Sequence, residues 1–282
     1  MKKYLLILGM VFVSHFSWGQ TYSSELAKSA KNGDLAAQRD LGICYLNGSG
    51  VKQNDDKAYE WLLKAASCGD GTAQYYIGRM YEFGKLYDLK AFADCPNPYV
   101  ASRAFKAIGG EASSIDVNEN DFYKLAAENG SVEAMLKMGD YWLKKKSPEG
   151  NVYAGSAAYF FKLAAEQGNA DAQYEYANIL LHPDEYYNGS RGKWLSDIKK
   201  KLDIREINEA QANEIIKMVF NQSKQQIEDA EMLIQFQMQF ASEAKFVMGD
   251  NFINPLKDEA IEWLKKAAEQ GHQKAAQALQ NN

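Results

Sequence analysis

Apolar residues recur along this chain with the period of a helix. Five stretches repeat one spacing: an alanine, a larger apolar residue four positions on, a small residue beside it, and an aromatic or leucine at the eighth position. They are Ala37, Leu41, Gly42, Tyr45; Ala73, Ile77, Gly78, Tyr81; Ala134, Met138, Gly139, Trp142; Ala172, Tyr176, Ala177, Leu180; and Ala244, Met248, Gly249, Phe252. These positions share one side of an α-helix, so each stretch predicts an amphipathic helix A. The small residue beside the stripe admits a close neighbour.

A second phrase ends in glycine: Lys64-Ala65-Ala66-Ser67-Cys68-Gly69, Lys124-Leu125-Ala126-Ala127-Glu128-Asn129-Gly130, Lys162-Leu163-Ala164-Ala165-Glu166-Gln167-Gly168 and Lys266-Ala267-Ala268-Glu269-Gln270-Gly271, with a weaker copy over Ala27–Gly33. It predicts a helix B. In the first unit Asn47-Gly48-Ser49-Gly50 breaks helix A, because glycine tolerates the left-handed backbone of a helix end. Asp55 or Asp56 is expected to cap helix B, which turns Ala58, Trp61, Leu62, Ala65 and Ala66 inward and ends at Gly69. One such hairpin cannot bury its stripe alone. Stacked hairpins can, which predicts an all-α fold, an α/α solenoid of antiparallel helix pairs.

The units are not uniform. The second carries an insertion over 85–114, holding Phe92, Cys95, Tyr99 and Phe105. The fourth shows a helix A over Asp171–Leu181 and no evident helix B, and the last is expected over Ala244–Gly271. Between them, Ile207–Phe220 and Gln225–Phe240 read as helices of decayed units or of an inserted piece. The expected organisation is a repeat array over 20–181, an irregular helical segment over 182–242, and a C-terminal repeat with a capping helix over 243–282.

The first unit carries a resemblance. Ala37-Gln-Arg-Asp-Leu-Gly-Ile-Cys-Tyr-Leu-Asn-Gly-Ser-Gly-Val51, followed by Asp56, Ala58, Trp61 and Lys64-Ala-Ala66, resembles a near-consensus repeat of the Sel-one-like family, a relative of the tetratricopeptide repeats. The unit over Glu133–Gly168 is similar, with Leu143-Lys-Lys-Lys146 in place of the glycine loop. The resemblance implies a curved solenoid that acts as a scaffold or adaptor for another protein.

The N-terminus changes where that scaffold is expected to work. Lys2 and Lys3 precede an apolar run over 4–16 and then Ser17-Trp18-Gly19, the order of a secretory signal peptide. Cleavage is expected after Gly19, with export to a Gram-negative periplasm or beyond. Losing both lysines leaves 30 basic residues against 37 acidic ones, so the net charge moves from −5 to −7. That balance argues against nucleic acid, and no later stretch is apolar enough to span a membrane. An oxidising compartment makes Cys68–Cys95 the disulfide to test and leaves Cys44 as a buried thiol on an apolar face.

No catalytic or cofactor motif stands out. His182 sits beside Pro183 and His272 follows a helix-ending glycine, neither with a second ligand at metal spacing. There is no nucleophile elbow, phosphate loop or dinucleotide fingerprint. The chain is therefore read as a non-enzyme without cofactor or metal.

The binding surface is sought on the A helices, which line the concave side of stacked hairpins. Their second, sixth and ninth positions point away from the stripe: Arg39, Ile43, Leu46; Tyr75, Arg79, Glu82; Leu136, Asp140, Leu143; Tyr174, Asn178, Leu181. A solvated face would be mostly charged. This one mixes residue types that anchor interfaces, although contact between adjacent A helices would bury part of the same set. Two protein-binding roles compete: an adaptor in an envelope complex, and an immunity protein that neutralises a lipid-degrading toxin, as exported relatives do. A cell-wall or β-lactam-acting enzyme is a weaker third reading, because the relatives linked to β-lactams carry a cysteine pair in nearly every repeat.

Overall fold

The computed structural model describes residues 21–83, 119–145, 154–183 and 193–282. Among these residues there are thirteen α-helices: α1 (Ser24–Lys31), α2 (Leu35–Asn47), α3 (Asp55–Ser67), α4 (Gly71–Glu82), α5 (Glu119–Glu128), α6 (Val132–Lys144), α7 (Ala154–Glu166), α8 (Ala170–Leu181), α9 (Lys193–Asp203), α10 (Glu209–Lys224), α11 (Ala230–Met248), α12 (Lys257–Glu269) and α13 (Gln273–Asn281). The expected signal peptide, the insertion over 85–114 and Cys95 lie outside the described residues.

Each A helix starts in the same way. A polar side chain at the N-cap accepts from the amide three residues on, satisfying a donor that the helix leaves orphaned. Asp34 takes Ala37 N at 2.7 Å, Asp70 takes Ala73 N at 2.8 Å, Ser131 takes Ala134 N at 3.2 Å, and Asn169 takes Ala172 N at 2.8 Å. The preceding glycine, Gly130 or Gly168 for instance, has φ of +89° or +88°, so the alanine-rich B helix stops there and the chain reverses. Helix α3 differs in detail from the expectation. Asn54 is its cap, accepting from Lys57 N at 2.8 Å, and Asp55 and Asp56 occupy the first turn, where their charge favours the helix dipole.

Inside each hairpin the small residue of helix A meets a large residue of helix B. A Cβ on Gly42 would fall 2.7 Å from Leu62 Cγ, and one on Gly139 would fall 2.7 Å from the Phe161 ring. A second contact marks the pairing. The residue after the first alanine of helix A bonds a residue at the end of its own helix B. Asn129 Nδ2 donates to Gln74 Oε1 at 2.9 Å in unit two, and Gln167 Nε2 to Met135 Sδ at 3.6 Å in unit three. Gln74 is fully buried and also donates to Ala66 O at 3.0 Å, tying its unit to the one before.

The same contacts show how unit four is built. Gln270 Nε2 donates to Gln173 Oε1 at 2.9 Å, and Gln173 Nε2 to Ala165 O at 3.2 Å. Tyr176 OH donates to Glu259 at 2.9 Å, and its ring meets Trp263 edge-on at 6.1 Å. Helix α12 is therefore the missing helix B of α8, and the two pack closely. The unit expected over Ala244–Gly271 is assembled otherwise. Its supposed helix A is the last turn of α11, which ends at Met248 as Gly249 leaves the helix with φ +56° and ψ −131°. The order is a half-unit α1, then α2–α3, α4–α5, α6–α7 and α8–α12, and a final A helix, α13.

The segment 182–256 is thus an insertion within unit four. Its α11 lies on α7, where a Cβ on Gly155 would fall 2.6 Å from Gln235 Cα, and Ser156 Oγ donates to Glu231 at 3.1 Å. Phe220, Phe236 and Phe240 join α10 to α11. The returning chain is pinned by Asn213, which donates to Asn251 O at 2.8 Å, and by Asn254, which donates to Leu180 O at 2.9 Å.

Candidate functional site

Two pairs of successive A helices touch, α2 with α4 and α4 with α6. These contacts lie on the side that the sequence reading expects to be concave.

Most of the face residues read from the sequence are half-buried, and several hold adjacent helices together. Arg39 donates to Asp40 at 2.8 Å and to Asp70, the cap of the next A helix, at 3.1 Å. Ile43 and Leu46 pack against the apolar cluster of α3 and α4. Tyr75 meets Tyr76 and Tyr123 with ring centroids at 5.4 and 5.6 Å, and burial pushes its hydroxyl pKa up. Glu82 accepts from Tyr123 OH at 2.6 Å and from Lys137 Nζ at 3.2 Å. Chiefly the Tyr123 bond, helped by Lys137, holds its carboxyl below the usual range. Leu136, Leu143 and Leu181 pack on the main core from its edge. Tyr174 stacks on His272, centroids 4.7 Å apart.

What stays open is a subset. Arg79 lies over the rings of Tyr76 and Phe83 at 5.9 and 5.7 Å, and Phe83 is 62% exposed. Asp140 is exposed and Asn178 half-exposed. The third and tenth positions of helix A were missed by the sequence reading, yet Tyr76, Phe83, Lys137 and Glu175 stand there. They flank the second and sixth positions on the helical wheel, and a wider arc would have included them. Glu175 is the most telling. Burial raises its carboxyl pKa, Lys274 opposes that, and Asp140 and Asp171 add to it. The face is thus aromatic with an arginine around α4, and anionic around α8.

Cys44 is a buried thiol, pushed up in pKa by burial and by Asp40. Cys68 caps the end of α3. Among the described residues no group of His, Cys, Asp or Glu could hold a metal ion, and no helix is long and apolar enough to cross a membrane.

Four segments of the chain, 35–70, 71–91, 132–169 and 248–272, match the Sel1 repeat. The last begins at Met248 and so covers α12, the helix B that closes unit four. Two solved structures are similar. One is a Sel1 repeat protein from Oxalobacter formigenes, 28% identical over 55% of this chain and 96% of that one, with a TM-score of 0.36. The other is a protective antigen present in uropathogenic Escherichia coli strains displaying an SLR fold, 20% identical over 90% of this chain and 58% of that one, with a TM-score of 0.28. With its four matched segments and its stacked αα-hairpins, the chain belongs to the Sel1 repeat family.

Proposed function

We propose that this protein is an exported adaptor that grips a protein partner along the concave face formed by α4, α6 and α8. Repeats of this family are protein-interaction scaffolds, which supports binding as the activity. The observation that carries the site is the open row around α4. Phe83 projects its ring into solvent with Arg79 laid across it, a pair suited to an apolar pocket and a carboxylate on a partner. At the other end Glu175 sets a partly desolvated carboxyl beside Asp140 and Asp171, which suits a basic side chain of the same partner. The pattern over residues 1–19, read as a secretory signal, supports work in the cell envelope.

The test uses immobilised protein to capture envelope proteins, compared with an Arg79→Glu/Phe83→Ser variant whose helical content and melting are unchanged. Both positions are at the edge of the core, so the fold is expected to survive. A partner retained by the wild type and lost by the variant supports the concave site. A partner held equally by both moves binding off this face.

A further inference from the structure

Five A helices start on the same structural position, and four of them are capped by Asp34, Asp70, Ser131 and Asn169. The fifth, α13, is capped by His272, whose Nδ1 accepts from Ala275 N at 3.1 Å. This bond needs the Nδ1 lone pair, so only neutral imidazole can make it. The other four caps accept through side-chain oxygens, whereas histidine is the residue type whose charge ordinarily changes near neutral pH.

We propose that His272 is a proton-sensitive cap that loosens the start of α13, and with it the C-terminal end of the concave face, as the surroundings acidify. Acidic groups face the ring. His272 Nε2 stands 3.3 Å from Asp171 Oδ1, and Glu175 of α8 lies close enough to interact with the ring. Asp140 of α6 adds a further negative charge beside Glu175. Against these stand Lys274 on α13 itself and the positive end of the α13 dipole. Helix α12 contributes the exposed Glu269 three residues upstream. A protonated ring therefore keeps Asp171 and its stack on Tyr174, but its Nδ1 now carries a hydrogen that points at the helix amide. The cap is lost, and Ala275, fully buried at the first core position of α13, is held less firmly. The consequence for binding rests on the concave-face reading, because Tyr174 is part of that face. The switch itself does not.

The experiment is amide hydrogen exchange on the full chain at single-residue resolution, expressed as protection factors so that the intrinsic pH dependence cancels. Ala275 reports the histidine cap, and Ala134, capped by Ser131, is the internal control. From pH 7.5 to 5.5 the protection of Ala275 is expected to fall about three- to ten-fold, the size of a lost cap, while Ala134 stays level. His272→Asn and His272→Asp restore the caps used in the other units, and in both the Ala275 protection should be independent of pH over this range. A flat wild-type response, or an equal fall in either variant, overturns the proposal. A fall at Ala275 with concave-face binding unchanged by pH would fault the link to binding and leave the cap standing.

Discussion

Units one and four bury the same kinds of residue at the same positions, yet seven residues (48–54) join the helices of the first and seventy-five (182–256) join those of the fourth. In unit one Trp61 of α3 packs on the cluster of Ala37 and Leu41, and Gly42 of α2 meets Leu62; in unit four Trp263 of α12 meets Tyr176 of α8. The chain even returns to the same place. Asn54 N donates to Tyr45 O at 3.0 Å, and Asn254 Nδ2 to Leu180 O at 2.9 Å, each acceptor being the eighth position of its A helix. A repeat of this kind is defined by the fit of two helix faces, and the A-to-B connection is free to carry other structure. Lengthening a loop costs little free energy because closure entropy grows only with the logarithm of length. Unit four is closed by contacts 83 residues apart in sequence, so its pairing is expected to form later in folding than the local pairing of unit one.

The comparison breaks first at the large core residues. Leu264→Ala and Leu62→Ala each empty a fully buried site and are expected to cost about 2–5 kcal/mol. Hydrogen exchange should show Leu264→Ala exposing α8 together with α12 and sparing α2, and Leu62→Ala doing the reverse. Next come the small residues. Gly42→Ala drives a Cβ into Leu62 and should cost about 1–3 kcal/mol in urea unfolding. Ala177→Gly, at the equivalent place in unit four, opens no clash and should cost about 1 kcal/mol through backbone freedom.

Smaller effects separate the charged ends of the concave face. Glu82 is held below its ordinary pKa by Tyr123, so its contribution is present at neutral pH and is lost as pH falls below about 4.3. Glu82→Gln should destabilise by about 1 kcal/mol at pH 7 and by almost nothing at pH 3, read from urea midpoints. Glu175 has the opposite sign. Its raised pKa means that the neutral form fits the fold better, so its stabilising share is present at acid pH and lost as pH rises through the carboxylate range. Glu175→Gln should therefore stabilise slightly at pH 7, and weaken any basic partner.

The repeat was legible because its signals are local. Gly69, Gly130, Gly168 and Gly271 mark where each B helix ends, and the alanine phrases mark both buried stripes. The partner of α8 was not legible. Ala244, Met248, Gly249 and Phe252 carry the spacing of an A helix, but they follow a longer helix that packs on α7, and Gly249 ends it. Nothing local distinguishes a glycine that receives a neighbour from one that stops a helix. The contacts that decide, from Gln173 to Gln270 and from Tyr176 to Glu259, lie 97 and 83 residues apart. The face was read in part. Helical rotation found Arg79, Asp140 and Tyr174, but it did not reveal that Arg39 and Glu82 are engaged in bonds to neighbouring helices, because those bonds depend on the stacking offset.

The fourth hairpin is what carries the concave face past α6, and its closure is tested most directly by a double-mutant cycle on Tyr176→Phe and Glu259→Gln. Stability of the two single variants, the double variant and the wild type would be measured by urea unfolding of the full chain. A hydroxyl bonded to a half-buried carboxylate across the hairpin predicts a coupling of about 1.5–3 kcal/mol. Additive effects, with no coupling beyond error, would contradict the pairing of α8 with α12.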